Sequence, residues 1–323
     1  MKALLCKELG HPTQMVLEEV PSPTPKKNEV LITVKACSVN FPDTLMVQGL
    51  YQFKPELPFA PGSDVAGVVK AVGEGVKHLK VGDDVFGLVQ TGGFAEEAII
   101  PANSAFPKPP MMDYKQAASF MMAYGTSYYA LKDRANLKEG ETLLVLGASG
   151  GVGLAAVELG KLMGAKVIAA ASTADKLALC KEYGADEIIN YKEEDLKARV
   201  KELTGGKGAN VVYDPVGGDY TEAALRATAW EGRFLIIGFP AGIAKIPMNL
   251  PLLKGCQIVG VFWGSFAMRN ASANMQNTME IIQMFGKGQL KPHIHGVYSL
   301  ENGAQALVDM MDRKVKGKVI IEP

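Results

Sequence analysis

An α/β fold is predicted, a doubly wound six-stranded parallel Rossmann sheet joined to a β-rich domain, and three observations carry the prediction. Residues 141–164 read ETLLVLGASGGVGLAAVELGKLMG: an apolar run at 143–146, a glycine turn at 147–151, and a helix at 152–163 opening directly behind it. From residue 141 onward, strand and helix patterns alternate, which implies a parallel sheet whose ligands lie beyond the carboxyl ends of its strands. The first hundred residues hold short β-branched segments separated by Pro and Gly clusters, which predict an antiparallel, partly closed β domain.

In chain order, MKALLC reads as a first strand, followed by strands at 30–39, 65–72, 85–89 and 95–100. A Pro-rich tract at 101–110 ends this region, and 114–134 reads as helix with a break allowed at Gly125. Six strands follow, at 142–146, 166–170, 187–190, 210–214, 233–238 and 257–262. Helical patterns separate the first five, for example 175–183 with Gly184 as its stop. A Pro- and Gly-containing link joins the fifth strand to the sixth. Helices at 275–285 and 300–312 and a strand at 318–321 complete the chain. Because the sheet is finished by then, this tail is expected to rejoin the first domain, giving a discontinuous domain of 1–124 and 264–323 around a dinucleotide domain of 125–263.

Composition narrows the partners. With 323 residues, two domains are the natural division, and 48% hydrophobic residues can fill two cores. The 34 basic and 34 acidic side chains leave no net charge to draw the chain to nucleic acid or a membrane surface. Small molecules or other protein surfaces are the expected partners. Cys6, Cys37, Cys180 and Cys256 have no metal-ligand spacing and suit a reducing compartment. The five-residue apolar start is too short for a signal peptide, and no apolar run approaches the ~20 residues needed to cross a bilayer, so a cytoplasmic location is expected.

The glycine turn has the spacing Ala148-x-Gly150-x-x-Gly153, a Rossmann pattern with alanine in place of its first glycine. Side chains at Gly150 or Gly153 would hold a diphosphate away from the backbone. The N–H groups opening the helix, at Gly151 and Val152, would receive its charge. An NAD site carries an acid at the end of the second strand; here 169–173 is Ala-Ala-Ala-Ser-Thr. An acid would repel a ribose 2′-phosphate by about 4 kcal/mol at ~4 Å and an effective dielectric of ~20. Without one, Ser172 offers a hydroxyl, Lys176 a cation one turn on, and Tyr191 a flank past the third strand, a set that fits NADPH. The plainer alternative makes Lys176 and Tyr191 ordinary surface residues.

Several ordered segments resemble the zinc-free quinone oxidoreductase branch of the medium-chain dehydrogenase/reductase superfamily, the ζ-crystallin-like group. They are VNFPDTLMVQGLY at 39–51, PGSDVAGVV at 61–69, VGDDVFGL at 81–88, GASGGVG at 147–153, GADEIINYKEEDL at 184–196, VVYDPVGG at 211–218 and GKVII at 317–321. The resemblance implies a GroES-like catalytic domain, a Rossmann NADPH domain, chemistry in the interdomain cleft, and a homodimer or tetramer formed near 259–263. Where the zinc enzymes of the superfamily carry a Cys ligand this chain has Asn40, and where they carry a His-Glu pair it has Ser63 and Asp64. A converging set of zinc ligands is therefore not expected.

What remains is hydride transfer from NADPH to an electrophilic carbon or quinone, aided by positioning and hydrogen bonds. Tyr51 matches the position where related enoyl-thioester reductases carry a tyrosine that donates a proton or stabilises an enolate, though it could equally line the pocket. Asn40 could hold a substrate oxygen or simply cap the turn before Pro42. Thr126 resembles the family threonine near the nicotinamide, and Gly238, Phe239, Val261 and Phe262 match segments that meet the carboxamide. Asp43 is expected to fix its loop. The reading is a zinc-independent, NADPH-dependent reductase of quinones or α,β-unsaturated carbonyl compounds. Its alternatives are an enoyl-thioester reductase, or a crystallin-like NADPH-binding protein with little activity.

Overall fold

The computed structural model describes residues 1–323, which divide into two compact units: 1–122 with 292–323, and 123–291. The first unit opens with β1 (Lys2–Leu5) and β2 (Val16–Glu19), a two-stranded antiparallel sheet. There follow β3 (Glu29–Val39), α1 (Phe41–Val47), β4 (Asp64–Val72), β5 (Asp84–Leu88), β6 (Glu97–Pro101), β7 (Ala105–Pro107) and α2 (Tyr114–Ala118). Next, α3 (Phe120–Tyr128) runs into a π-helical turn, Tyr129–Arg134.

The second unit continues with β8 (Thr142–Val145), α4 (Gly151–Leu162), β9 (Lys166–Ala171), α5 (Ala174–Glu182), β10 (Glu187–Asn190) and α6 (Leu196–Leu203). Then come β11 (Ala209–Asp214), α7 (Tyr220–Ala227), β12 (Thr228–Ile236), α8 (Asn249–Lys254), β13 (Gln257–Gly260), α9 (Trp263–Arg269) and α10 (Ala271–Gly286). The chain returns to the first unit with β14 (Ile294–Ser299), α11 (Gly303–Met311) and β15 (Lys318–Glu322).

The second unit is the doubly wound sheet, six parallel strands in the order β10-β9-β8-β11-β12-β13. Its central strands are apolar without alternation because both faces are covered: Leu143, Leu144 and Val145 on β8 and Val167 to Ala171 on β9 are all buried. In the first unit the order is β14-β15-β3-β4-β5-β7, with β6 also on β3, and every pair but β14/β15 is antiparallel. Val30, Ile32, Val65, Phe94 and Ile321 fill its core.

Several features differ from the sequence reading. The break in helix 114–134 falls at Ser119, where Asp113 and Gln116 cap α2 reciprocally at the other end. The chain stays helical through Gly125, where a Cβ would stand 2.5 Å from the Trp263 indole. The link after the fifth strand contains α8, and β2, α1, β7, α9 and β14 were not anticipated. The tail leaves the second unit at Pro292 and not at 264. Residues 264–291 are held there by Lys132 to Asn277 Oδ1 (3.0 Å), Asn277 to Asp133 (2.6 Å) and Tyr128 to Glu280 (2.5 Å).

Candidate cofactor seat and active site

The turn after β8 explains the alanine in its glycine pattern. The left-handed backbone that favours glycine falls on Gly147 (φ 52°), one residue before Ala148, whose own φ is negative. Ala148 is buried and donates its N–H to Ala170 O (3.1 Å), so a methyl group is accommodated. At Gly153 a Cβ would meet Gly147 O at 2.4 Å and Ala148 Cα at 2.8 Å, so only glycine lets α4 pack against its own turn. At Gly150 the nearest atom to a Cβ is Gly147 O at 3.4 Å, leaving that face of the turn clear. Gly150 caps α4 without a side chain, so the N–H groups of Gly151, Val152 and Gly153 open the helix with no intrahelical acceptor. A clear face above converging N–H groups fits a diphosphate.

The other expected cofactor residues of the second unit lie around the same carboxyl edge of the sheet. Ala171, not an acid, ends β9, with Ser172 beside it and Lys176 in the first turn of α5. Asn190 on β10 pairs with Ala171, and Tyr191 donates its N–H to Ala171 O (3.2 Å), which carries Tyr191 to the same edge. Gly238 and the exposed Phe239 follow β12, and Val261 and the exposed Phe262 follow β13. Thr126 lies on α3, whose Ser127 donates to Val152 O (2.9 Å) and so ties that helix to the first turn of α4.

A cavity of about 780 Å³ opens here, its lining of mixed charge, with Tyr191, Asp195, Lys197, Tyr220, Glu222 and Arg226 among the residues. The Tyr191 and Tyr220 rings pack 4.5 Å apart. Sequence reading missed Asp214, which shapes the edge after β11 by accepting from Val216 N and Gly217 N (both 2.9 Å) and Thr221 Oγ1 (2.7 Å).

The expected catalytic residues belong to the first unit. Tyr51 is half-buried against its core; burial and the Asp43 charge push its phenol above the ordinary value, so it stays protonated at neutral pH. Asn40 caps α1 and is nearly buried. Its N–H goes to Asp43 Oδ2 (2.7 Å) and its amide Nδ2 to Ser38 O (3.4 Å) and Oγ (3.3 Å). Asp43 also accepts from Gly62 N (3.2 Å), which holds the loop as expected; burial lifts its carboxyl to about 6 against these donors. Asp64 is wholly buried, takes Ser38 Oγ (3.2 Å) and Met122 N (3.3 Å) on one oxygen, and leaves Oδ1 without a partner. Burial pushes it up to about 7.

The residue that sequence reading passed over is Lys318. It heads the apolar run KVII and ordinarily would extend into solvent. It is instead 6% exposed, with Nζ on Asn40 Oδ1 (2.5 Å) and Val39 O (3.4 Å).

A β domain interrupted in sequence by a Rossmann unit, with this glycine turn, is the architecture of a medium-chain dehydrogenase/reductase. The zinc-binding dehydrogenase family matches residues 151–283, and the alcohol dehydrogenase GroES-like domain family matches 26–110. The chain is 40% identical to a quinone oxidoreductase-like protein 2 homolog of Nematostella vectensis, over 99% of this chain and 88% of that protein. Among solved structures, a mycobacterial protein complexed with NADPH superposes with a TM-score of 0.94 at 32% identity. The Escherichia coli quinone oxidoreductase complexed with NADPH gives 0.93 at 30%, and both comparisons span the whole of each chain. The chain belongs to the quinone oxidoreductase branch of this superfamily.

Proposed function

We propose that this protein is a zinc-independent, NADPH-dependent reductase of quinones or α,β-unsaturated carbonyl compounds. The observation that carries the reading is the carboxyl edge of the sheet. A clear glycine turn stands beside a second strand that ends on Ala171, where an NAD site carries an acid, and Ser172, Lys176 and Tyr191 follow that strand and the next; the first acid beyond it, Asp175, lies in the first turn of α5 and accepts from Thr173 Oγ1. When bound, NADPH supplies the hydride. Ala148 to Gly153 seat its diphosphate, with Thr126, Gly238, Phe239, Val261 and Phe262 toward the nicotinamide end. Tyr51, whose phenol is protonated at neutral pH, donates a hydrogen bond or proton to the substrate oxygen as negative charge develops there. No three His, Cys, Asp or Glu side chains converge as a ligand set, and the cation beside Asn40 is the Lys318 ammonium.

The test is NADPH oxidation over a panel of quinones, enones and enoyl thioesters, run on the wild type, Tyr51→Phe and Lys176→Ala. Lys176→Ala should weaken NADPH by about one to two decades, the worth of a charge-assisted hydrogen bond, with NADH unaffected. Tyr51→Phe should lower turnover and leave cofactor affinity alone. Equal binding of NADH and NADPH before and after Lys176→Ala, or unchanged turnover in Tyr51→Phe, would remove those roles. No turnover on any substrate would leave a cofactor-binding protein.

A second copy of the chain is the proposed partner. β13 is an edge strand bonded only to β12, and Trp230, Ile243, Leu252, Leu253 and Phe262 in the neighbouring segments are more than half exposed. Light scattering should give a dimer or tetramer, and Leu253→Glu should shift it toward monomer; a monomeric wild type would refute the assignment. Four buried, unbridged cysteines suit a reducing compartment such as the cytoplasm, and no helix is long and apolar enough to cross a membrane.

A further inference from the structure

A buried polar cluster lies at the base of α1, and the role drawn for it rests on the reductase reading. Asn40, Asp43, Asp64, Cys37 and Lys318 come from three separated parts of the sequence, and all are buried in the first unit. Lys318 reaches the cluster because β15 pairs with β3 in antiparallel register, Val319 opposite Val39. Its ammonium is the cation of the cluster. Burial pulls it toward the neutral form, while Asp64 and Asp43 hold it charged. An ammonium has three donors and no acceptor, so the amide group it touches must turn its oxygen toward it.

We propose that Lys318 is a positioning residue that fixes the orientation of the Asn40 amide, with Oδ1 held on the ammonium and Nδ2 left as the group offered to substrate. The site is thereby a hydrogen-bond donor. Its Nδ2 contacts with Ser38 are long, 3.3 and 3.4 Å, so they compete weakly with a substrate oxygen that gains negative charge. This selects electrophiles that carry a carbonyl or quinone oxygen at that point, over those presenting an N–H. A neutral side chain at 318 would free the amide to turn over. Asp43, which takes the Asn40 N–H, would still hold the backbone, so α1 would keep its start.

The experiment pairs a structural readout with a kinetic one. In protein labelled with ¹⁵N at asparagine, the Asn40 side-chain resonance is assigned by its loss in Asn40→Ala. It should move and broaden in Lys318→Gln and Lys318→Met, and return close to the wild-type position in Lys318→Arg. With a naphthoquinone as acceptor, Lys318→Met should lower kcat by about tenfold to a hundredfold, less than the roughly 10²–10³-fold of losing an oxyanion donor outright because the amide is misoriented and not removed. The KM for NADPH should be unchanged, since the proposed cofactor residues lie in the other unit. Lys318→Arg should recover most of the rate, and Lys318→Met combined with Asn40→Ala should cost no more than the worse single variant. An Asn40 resonance indifferent to the charge at 318, or additive kinetic losses, overturns the proposal. A wild type that fails to oxidise NADPH with any of the acceptors offered overturns the reductase reading alone, because the amide resonance still decides the role of Lys318.

Discussion

Gly153→Ala should weaken cofactor binding severely and destabilise the protein, although the same exchange inside most helices is favourable. A methyl group at 153 has no space: the carbonyl oxygen of Gly147 would lie 2.4 Å from it, and Cα and C of Ala148 at 2.8 and 2.9 Å. All three are backbone atoms, so relief requires the turn and α4 to separate. Overpacking of this kind costs about 1–3 kcal/mol, which exceeds the ~1 kcal/mol that alanine gains over glycine in a helix. The separation also spoils the convergence of the N–H groups at 151–153, and affinity for NADPH should fall by at least about two decades, the scale of one lost charge-assisted bond or more.

Gly150→Ala provides the contrast. Its φ of −78° suits alanine, and its Cβ would make only one contact, at 3.4 Å with Gly147 O. That variant should keep its Tm and still lose NADPH, because the methyl group would occupy the face the diphosphate approaches. Thermal unfolding without cofactor and fluorescence titration with NADPH separate the two effects. A Gly153→Ala protein with wild-type Tm and affinity would show that the turn has slack, and the account of the glycine spacing would fail.

The contrast marks what could be read from the sequence. The cofactor edge was legible because its signals are local: a buried strand, a turn whose glycines are spaced by backbone approach, and a strand end lacking an acid all lie within about thirty residues, the scale of a βαβ unit. The buried polar cluster around Asn40 was not. Asn40 was read with Pro42 and Asp43, its neighbours in sequence, and the Asp43 hold on the loop was correctly anticipated. Its decisive neighbour, Lys318, arrives through pairing of the last strand with the third, and no local pattern announces that register. The boundary at 264 failed for a related reason. The sheet is complete after β13, so the tail appeared free to leave, but α10 is retained by polar contacts to Lys132 and Asp133 that periodicity does not encode. Ser119, a helix stop without Gly or Pro, was likewise invisible beside Gly125, whose glycine serves packing against Trp263.

Glu158→Gln should remove a neutral-pH loss of stability from the second unit. Glu158 is on α4, 7% exposed, and accepts from Tyr124 Oη (2.6 Å) and from Lys291 N (2.9 Å). Burial pushes its carboxyl up to about 7 from an ordinary 4.5, and the two donors only partly oppose that. The sign follows from where the proton is held. Between pH 4.5 and 7 the folded chain keeps a proton on Glu158 that the unfolded chain has released, so stability from this group is fullest below 4.5 and declines as pH rises through 7. The decline is about 3 kcal/mol at most, at 1.36 kcal/mol for each tenfold change in proton affinity.

Glutamine keeps an acceptor for Lys291 N–H and cannot ionise. The difference in unfolding free energy between wild type and variant should therefore move in favour of the variant from pH 5 to about pH 7 and level off by pH 8. Asp43 and Asp64, lifted to about 6 and about 7, bend both curves alike, so the subtraction isolates Glu158. Parallel curves across that range would mean that Glu158 does not carry its proton through neutrality. The Tyr124 hydroxyl bond would then join a tyrosine to a settled carboxylate.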